Sequence, residues 1–310
     1  MEAGLEAMES RHAYPLAAML AAAAALLILI APGAAPQDAA PLSPQQLAAL
    51  LDRVTANQHR NDEALDRYER IERYLALRSD SSDPAAVKED RTYRVVPHAA
   101  GSTRLLLEDQ GKRTPPEVYR QSLAVLETEL VRSLNPDARQ RTRVERREKR
   151  ARESYETVEA ARRAFRATFL GREVRNGRVF VKVQLDPRPD FKSTNRTTAA
   201  FQHVRVIAWI DEAAAQLARA EAEIMRDISF GGGVLGKVYR GGRFVLEQAP
   251  VDDVWLPTCY QFDIRGRRFL FGFQVHDRIE ARDYRPVPPP QQMLALVRQE
   301  MNGGRPAPDP

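Results

Sequence analysis

The chain has 310 residues, of which 43% are hydrophobic, and a formal net charge of +5 at pH 7. This length and composition suffice for one large domain or two small ones with a buried core, which excludes a fibrous protein. Cys259 is the single cysteine, so an internal disulfide and a multi-cysteine metal site are excluded as well.

Residues 1–35 have the layout of an export signal. Arg11 and His12 precede an apolar run from Leu16 to Ile30, and small residues follow it. The run is shorter than the roughly 20 residues that span a bilayer, so we expect cleavage, with a retained N-terminal anchor as the alternative. In both cases the rest of the chain, which carries +7, would lie in the periplasm or cell envelope.

After a linker at 36–43, one domain is predicted from 44 to 285. Ser43 to Gln46 has the sequence of a capping box with proline at the first helical position, which predicts that a helix begins there. The apolar residues that follow recur at helical spacing, as is typical of a helix with one buried face. These residues are Leu47, Leu50, Leu51 and Val54.

The next segment mixes strand and helix signals. Tyr68 to Leu77 is compatible with a helix or a strand, whereas Arg91 to Val96 and Thr103 to Glu108 favour strands of a small antiparallel unit. Thr114 to Glu117 has the sequence of a second capping box and predicts another helix. Its apolar stripe consists of Tyr119, Leu123, Leu126, Leu130 and Leu134.

Residues 136–168 are predicted to form a long charged helical insertion. Between Arg139 and Arg152 there are eight bases and two acids, and clustered arginines attract anionic lipid headgroups or nucleic acid. Predicted export argues against nucleic acid. A solvated helix face is the favoured interpretation, and contact of four arginines with anionic headgroups is the functional hypothesis kept beside it. These residues are Arg143, Arg146, Arg147 and Arg150.

The remainder alternates with the period of strands. A hairpin is predicted around Asn176-Gly177, and further strands without helical crossovers indicate an antiparallel meander. A glycine bend is expected at Gly231 to Gly233. Residues 286–310 are predicted as a proline-rich linker, a short helix from 291 and a disordered tail. The predicted strands are 204–211, 217–228, 244–248, 254–264 and 267–275.

One face of the last predicted strand is apolar. Phe269, Phe271, Phe273 and Val275 alternate along it, so they should share one face that is buried or covers a ligand cavity.

Motifs for catalysis are missing or incomplete. The phosphate-loop outline from Gly231 to Lys237 is followed by Val238, where a magnesium-binding Ser or Thr would be required. The five histidines have no metal-pair spacing, and no Gly-x-Ser-x-Gly sequence occurs. We therefore expect no cofactor, no metal and no enzymatic activity. The alternative is a hydrolase that uses Asp211 or Glu223, although alternation places Glu223 on a solvated strand face with Arg219 and Glu221.

Several short sequence segments of the C-terminal half resemble exported proteins of the acidobacterial type and the outer-membrane lipoprotein-sorting (LolA/LolB-like) superfamily. The resemblance covers residues 45–285 and is strongest from Phe169 onward. It implies a curved antiparallel half-barrel covered by helices, with a cavity that holds acyl chains. The segments are 186–191, 209–212, 229–233, 237–241, 244–248 and 254–257.

Together these observations predict an α+β envelope protein that binds or carries lipid or lipidated protein. Its ligands would be lipid or an acylated protein, with an anionic membrane surface as a further partner and no nucleic acid. An envelope scaffold with a fully packed sheet is the alternative, and the sequence does not determine the oligomeric state. The residues predicted to line the cavity are Trp209, Phe244, Trp255, Phe269 and Phe271.

Overall fold

A computed structural model describes residues 41–77, 87–230, 235–303 and 309. The predicted export signal, the glycine bend at 231–233 and most of the predicted tail at 302–310 lie outside the described residues.

The described residues form five α-helices and thirteen strands. The helices are α1 (Pro44–Leu65), α2 (Pro116–Leu134), α3 (Ala138–Ala164), α4 (Arg196–Ala199) and α5 (Pro290–Met301), and a 3-10 turn spans Ala200–His203. The first six strands are β1 (Tyr68–Leu77), β2 (Val87–His98), β3 (Gly101–Asp109), β4 (Lys112–Arg113), β5 (Phe165–Arg175) and β6 (Arg178–Pro187). The other seven are β7 (Val204–Asp211), β8 (Gln216–Ile224), β9 (Ile228–Phe230), β10 (Gly236–Val238), β11 (Arg243–Val251), β12 (Val254–Arg268) and β13 (Phe271–Pro286).

All of these strands belong to one sheet. The hydrogen-bonded order is β4-β3-β2-β1-β13-β12-β11-β8-β7-β6-β5, and the short hairpin β9-β10 attaches to β12. Within the described residues the order begins at β4 and ends at β5, so the sheet is not closed. The predicted α+β class with a large antiparallel sheet and helices is confirmed.

The chain divides into two compact units. Unit one contains the described residues up to His59, together with 154–250 and 259–276. Its core lies where the start of α1 covers one face of β6 and β7, because alternate residues of these strands point to the same side. The buried residues of this core are Leu47, Leu50, Val181, Val183, Ala208, Ile210 and Ala215.

Unit two contains residues 60–153, 251–258 and the described part of 277–310. Its core is formed by α2 and α5 packed on β1 to β3. The predicted stripe of α2 is buried here, where Tyr119, Leu123, Leu126 and Leu130 meet Val96 and Leu105. The residues that α5 contributes are Met293, Leu294 and Val297.

Local signals fix several element boundaries as predicted. The amide of Ser43 donates to Gln46 Oε1 (2.9 Å) and the amide of Gln46 donates to Ser43 Oγ (3.2 Å), which is the predicted capping box of α1. Asn176 and Gly177 both have positive φ, 50° and 74°, as a two-residue hairpin turn requires. Tyr68–Leu77, for which helix and strand were both open, is a strand.

The second predicted capping box is wrong. Helix α2 begins at Pro116 and its N-cap is Pro115, which makes no side-chain capping bond. Two successive prolines explain the difference, because each fixes φ and Pro116 removes the first amide that a cap would satisfy. The predicted charged helix also ends earlier, since Phe165 to Thr168 belong to β5.

The predicted strand from Arg267 to Val275 is wrong as well. The chain reverses at Phe269, where φ is 52°, between the end of β12 and the start of β13. Strand β13 then continues to Pro286, because residues from Asp277 onward pair with β1. The predicted strand 217–228 is likewise interrupted after Ile224, where β8 ends.

Candidate functional site

Three of the five predicted cavity residues are buried in packed surroundings. Trp209 lies on β7 opposite Lys182 of β6 and Arg219 of β8, so its ring points away from the face that α1 covers. The ring is enclosed by cations, with Lys182 Nζ at 4.9 Å and the guanidinium carbons of Arg175 and Arg219 at 5.7 and 5.9 Å from its centroid. These contacts are cation–π interactions. The ring of Trp209 is therefore already in contact with side chains of the protein itself.

The other two buried residues lie in separate surroundings. Phe244 of unit one packs against Phe262, with 4.8 Å between ring centroids, and against Tyr260 at 6.3 Å. Trp255 belongs to unit two, where its backbone amide donates to Asn61 Oδ1 at 3.0 Å. Whether these residues line a ligand cavity stays a prediction.

Phe269 and Phe271 lie at the tip of the β12-β13 hairpin, on either side of Leu270. Leu270 is 90% exposed, Phe271 79% and Phe269 51%. Three adjacent apolar side chains at this exposure are unusual, because soluble proteins rarely present contiguous apolar surface unless it is a contact site. We call Phe269, Leu270 and Phe271 the apolar tip.

The neighbouring hairpin β9-β10 supports this tip. The backbone amide of Phe269 donates to the carbonyl oxygen of Leu235 at 3.3 Å, and Leu235 is itself an exposed apolar residue. Strand β10 pairs with the end of β12, so that Gly236 faces Arg268 and Val238 faces Gly266. Backbone hydrogen bonds to Leu235 and β10 therefore hold the β12 side of the tip.

Gly266 fixes how the base of the tip packs. A Cβ atom at this position would lie 2.4 Å from the carbonyl oxygen of Lys237 and 2.7 Å from the ring of Phe273. Only glycine permits such a close approach. The half-buried Phe273 thus lies on the backbone of β12, while Phe271, two residues earlier, stays exposed.

Basic side chains lie on the two strands that lead to the apolar tip. Arg265 and Arg268 are exposed, and neither has an acidic partner within the part of the chain that the structure describes. Lys237 is paired with Asp227 at 2.7 Å. The hydrogen bond from Lys237 is the largest cause that lowers the pKa of Asp227, followed by one from the Arg240 amide.

The four arginines predicted to contact headgroups differ in their surroundings. Arg143 pairs with Glu129 at 2.8 Å, and Arg147 forms an ion pair with Asp66 and donates to the carbonyl oxygens of His98 and Ala99. Helix α3 also exposes two further arginines, Arg146 and Arg150, which have no ion-pair partner among the described residues.

Glu129 anchors the first of these contacts. Its burial raises its pKa, but Arg143 and then Arg132 outweigh that effect by hydrogen bonding, so the net pKa is lowered. Arg143 and Arg147 therefore stabilise unit two, and the headgroup role of all four arginines stays a prediction.

The two carboxylates of the hydrolase alternative are far apart. Asp211 ends β7, where it accepts from Arg178 at 2.9 Å and from the amide of Ala214 at 2.8 Å. Glu223 of β8 faces Arg205, six residues earlier on β7. At about 3.3 Å per residue this separation is roughly 20 Å, whereas paired glycosidase carboxylates stand about 5–9.5 Å apart.

Glu221, predicted on a solvated face, is buried and accepts from Arg219 at 2.6 Å. The charged side chains that cover Trp209 shield this part of the sheet face, which explains the difference. Among the described residues no three His, Cys, Asp or Glu side chains are grouped as metal ligands.

Unit two has a polar surface pocket of about 310 Å³. Its lining is charged, with two arginines and two glutamates, so it does not offer the apolar walls that an acyl chain requires. The lining residues are Arg73, Thr92, Glu108, Glu280 and Arg282.

The sequence predicted Phe269 and Phe271 as lipid-contacting residues but missed Leu270 as their partner and the arginines beside them. The available signal was the segment Arg265 to Phe271, in which three bases and one glycine precede three large apolar residues. Treated as a strand, this segment alternates between two faces. Only the turn at Phe269 brings all three apolar side chains to one exposed end.

The described residues define an α+β protein with an open antiparallel sheet. Similar solved structures include a LolA superfamily protein from Nitrosomonas europaea, with 9% identity over 79% of this chain and 96% of that chain (TM-score 0.27). A DUF1329 family protein from Desulfovibrio piger has 12% identity over 77% and 92% of the two chains (TM-score 0.27). An outer membrane lipoprotein-sorting protein domain from Vibrio parahaemolyticus has 11% identity over 80% and 99% (TM-score 0.24).

The superfamily named in these structures is the one that the sequence segments resemble. No family model matches the chain, and no curated protein matches it. At such low identities and TM-scores, the likeness supports no assignment of function.

In the part of the chain that the structure describes, none of the helices combines the length and the apolar character needed to cross a membrane.

Proposed function

We propose that this protein is a non-catalytic lipid-binding protein of the bacterial envelope that contacts membrane surfaces through the apolar tip of the β12-β13 hairpin. The observation that carries the proposal is the exposure of Phe269, Leu270 and Phe271 side by side. The predicted export signal in residues 1–35 would bring the chain to such surfaces.

Exposed apolar side chains gain free energy when a partner removes them from water. Burial of a Leu or Phe side chain is worth about 1.5–3 kcal/mol, so three exposed neighbours offer several kcal/mol to a partner that covers them. The acyl boundary of a bilayer accepts apolar side chains to a depth of about 5–10 Å. A hairpin tip reaches that depth without any change in the rest of the sheet.

The proposal keeps Phe269 and Phe271 as lipid contacts but moves the contact from an enclosed cavity to an exposed tip. Trp209, Phe244 and Trp255 are buried among protein side chains and are not needed for it. Transport of a lipid or an acylated protein inside a cavity would be a further step beyond surface binding.

The test is co-sedimentation of the protein with phosphatidylcholine vesicles. The double variant Leu270→Asp/Phe271→Asp should lower the vesicle affinity at least about 100-fold, because two apolar side chains are lost and two charges would have to enter the interface. Circular dichroism and the unfolding midpoint should stay unchanged, since both side chains are exposed in the folded protein.

Val125→Asp is the matched control, because Val125 is an exposed apolar residue of α2 in unit two. This variant should bind vesicles like the parent protein. Equal binding by the parent and the tip variant would refute the proposal. Failure of the parent protein to bind vesicles would also refute it and would favour the alternative of an envelope scaffold.

A further inference from the structure

We infer that the apolar tip selects bilayers that carry anionic lipid, because Arg268 directly precedes the tip and Arg265 lies three residues farther back on β12, and neither arginine has an acidic partner among the described residues. This inference rests on the proposed function, since it assumes that the tip meets a bilayer. It adds the chemical class of lipid and assigns the selection to Arg268 first and Arg265 second.

The charge around the tip is predominantly positive. Residues 264–274, which include the tip, carry three bases and no acid, and residues 235–245 of the adjoining segment also carry three bases and no acid. Of the acids on the neighbouring strands, Asp227 is ion-paired with Lys237 at 2.7 Å, and Asp263 is hydrogen-bonded to His276 Nδ1 at 2.9 Å. The six bases of the two segments outnumber these two acids. A net positive field therefore surrounds three apolar side chains.

The strand register places these bases at the depth where headgroups would lie. Arg268 directly precedes Phe269, and β10 pairing sets Lys237 opposite Arg267. Along a strand each residue advances about 3.3 Å, so Arg265 lies about 10 Å farther back along β12 than Arg268. If the tip enters the acyl boundary, Arg268 stands at the phosphate level and Arg265 farther out.

This arrangement fits a bilayer better than an acidic protein. Three apolar side chains in a row require an apolar phase, and the flanking arginines require negative charge just outside that phase. An anionic bilayer supplies both at a fixed depth, and its negative surface potential is worth about 1 kcal/mol for each nearby Lys or Arg.

The experiment compares vesicles of phosphatidylcholine alone with vesicles of phosphatidylcholine and phosphatidylglycerol in equal parts. The parent protein should bind the mixed vesicles more tightly, and the difference should shrink as salt is added, because exposed charges are screened. Arg268→Gln should lower the affinity for mixed vesicles about 5-fold and Arg265→Gln less. Neither variant should change the affinity for phosphatidylcholine alone.

The double variant Arg265→Gln/Arg268→Gln should lose the preference for mixed vesicles, and two other double variants serve as comparisons. Arg120→Gln/Arg285→Gln removes the same charge from exposed arginines of α2 and of the far end of β13, and it should leave the selectivity unchanged. Arg146→Gln/Arg150→Gln tests the headgroup contacts predicted on α3. Loss of selectivity in that variant, with Arg265→Gln/Arg268→Gln unchanged, would overturn the inference.

The two proposals fail in different ways. If Leu270→Asp/Phe271→Asp binds both kinds of vesicle like the parent protein, the proposed function itself is wrong. If that variant loses binding but Arg265→Gln/Arg268→Gln keeps the full preference for anionic vesicles, only the selectivity inference is wrong. Polyglutamate that displaces the protein from mixed vesicles, and binds it as tightly, would show an acidic polypeptide site and would also overturn the inference.

Discussion

Glu72 of β1 is a buried carboxylate held between two arginines. It accepts from Arg70 Nε at 2.7 Å and is ion-paired with Arg104, whose guanidinium lies over the ring of Tyr93 at 5.4 Å from the centroid. Burial alone would raise the pKa of Glu72, but the two arginines outweigh it and lower the pKa below 4.5. The charged form is therefore favoured in the folded protein.

This shift predicts a loss of stability in acid. A carboxylate with a lowered folded-state pKa contributes stability above its unfolded value of 4.5, and that contribution disappears as the pH falls toward the folded-state value. At neutral pH, Glu72→Gln should have a lower urea concentration at its unfolding midpoint than the parent protein. The difference between the two midpoints should decrease below pH 4.5. Urea titrations of both proteins across this pH range measure the difference between their unfolding midpoints. A difference that stays the same at every pH would contradict the prediction.

Aromatic residues illustrate what the sequence can and cannot predict at this scale. Trp209, Phe244 and Phe271 were predicted to line one cavity because all three are large and apolar. Size and polarity are known from the residue type alone. The surroundings of these residues depend on neighbours from other parts of the chain. Cations contact the ring of Trp209, Phe262 packs against Phe244, and Phe271 is exposed to solvent. Those neighbours are distant in sequence, so the local pattern could not separate core residues from the tip.

Helix α5 is attached to the rest of unit two by a buried ionic contact. Arg94 of β2 donates to Glu300 Oε2 at 2.9 Å and to Glu69 Oε2 at 2.8 Å, and the hydroxyl of Tyr119 donates to Glu300 Oε1 at 2.8 Å. Burial works against the charged Arg94, yet both carboxylates raise its pKa. The amphipathic pattern of α5 was visible in the sequence, whereas its charged anchor lies about 200 residues away.

Glu300→Gln should destabilise the protein by about 3 kcal/mol, because removing one partner of a buried pair leaves a charge partly uncompensated. Glu127→Gln is the matched control, since its ion pair with Arg298 also holds α5 in place, but joins it to α2 on an exposed surface. That pair should be worth less than about 1 kcal/mol. Urea unfolding measures both losses, and equal losses would show that burial of the pair does not matter.

Two elements with strong local signals were predicted correctly, whereas the chain reversal between β12 and β13 was not. The capping box of α1 and the Asn176-Gly177 hairpin involve residues two to three positions apart, so their geometry is encoded in adjacent letters. The turn at Phe269 has no glycine or asparagine to mark it. It forms because β13 must run back along β12 and then pair with β1, a constraint that no short window contains.

At the scale of the whole molecule, the antiparallel meander from β5 to β8 and from β11 to β13 follows from the absence of helical crossovers, as predicted. The addition of β1 to β4 beyond β13 joins chain segments about 200 residues apart, and alternation of side chains cannot specify it. The outcome is an open sheet whose described order ends in strands of very different length: β4 has two residues and β5 has eleven.

Strand β5 is therefore the longer edge, and edges of this length invite pairing with other chains. Arg166, Thr168 and Leu170 alternate on its exposed face, and the two polar residues keep that face from being apolar. Arg166→Val/Thr168→Val should strengthen self-association about 10-fold, measured by sedimentation velocity over a concentration series. The control Arg141→Val/Thr142→Val makes the same exchange on exposed positions of α3. If both variants associate equally strongly, the added hydrophobic side chains cause the association, and the edge position of β5 does not contribute.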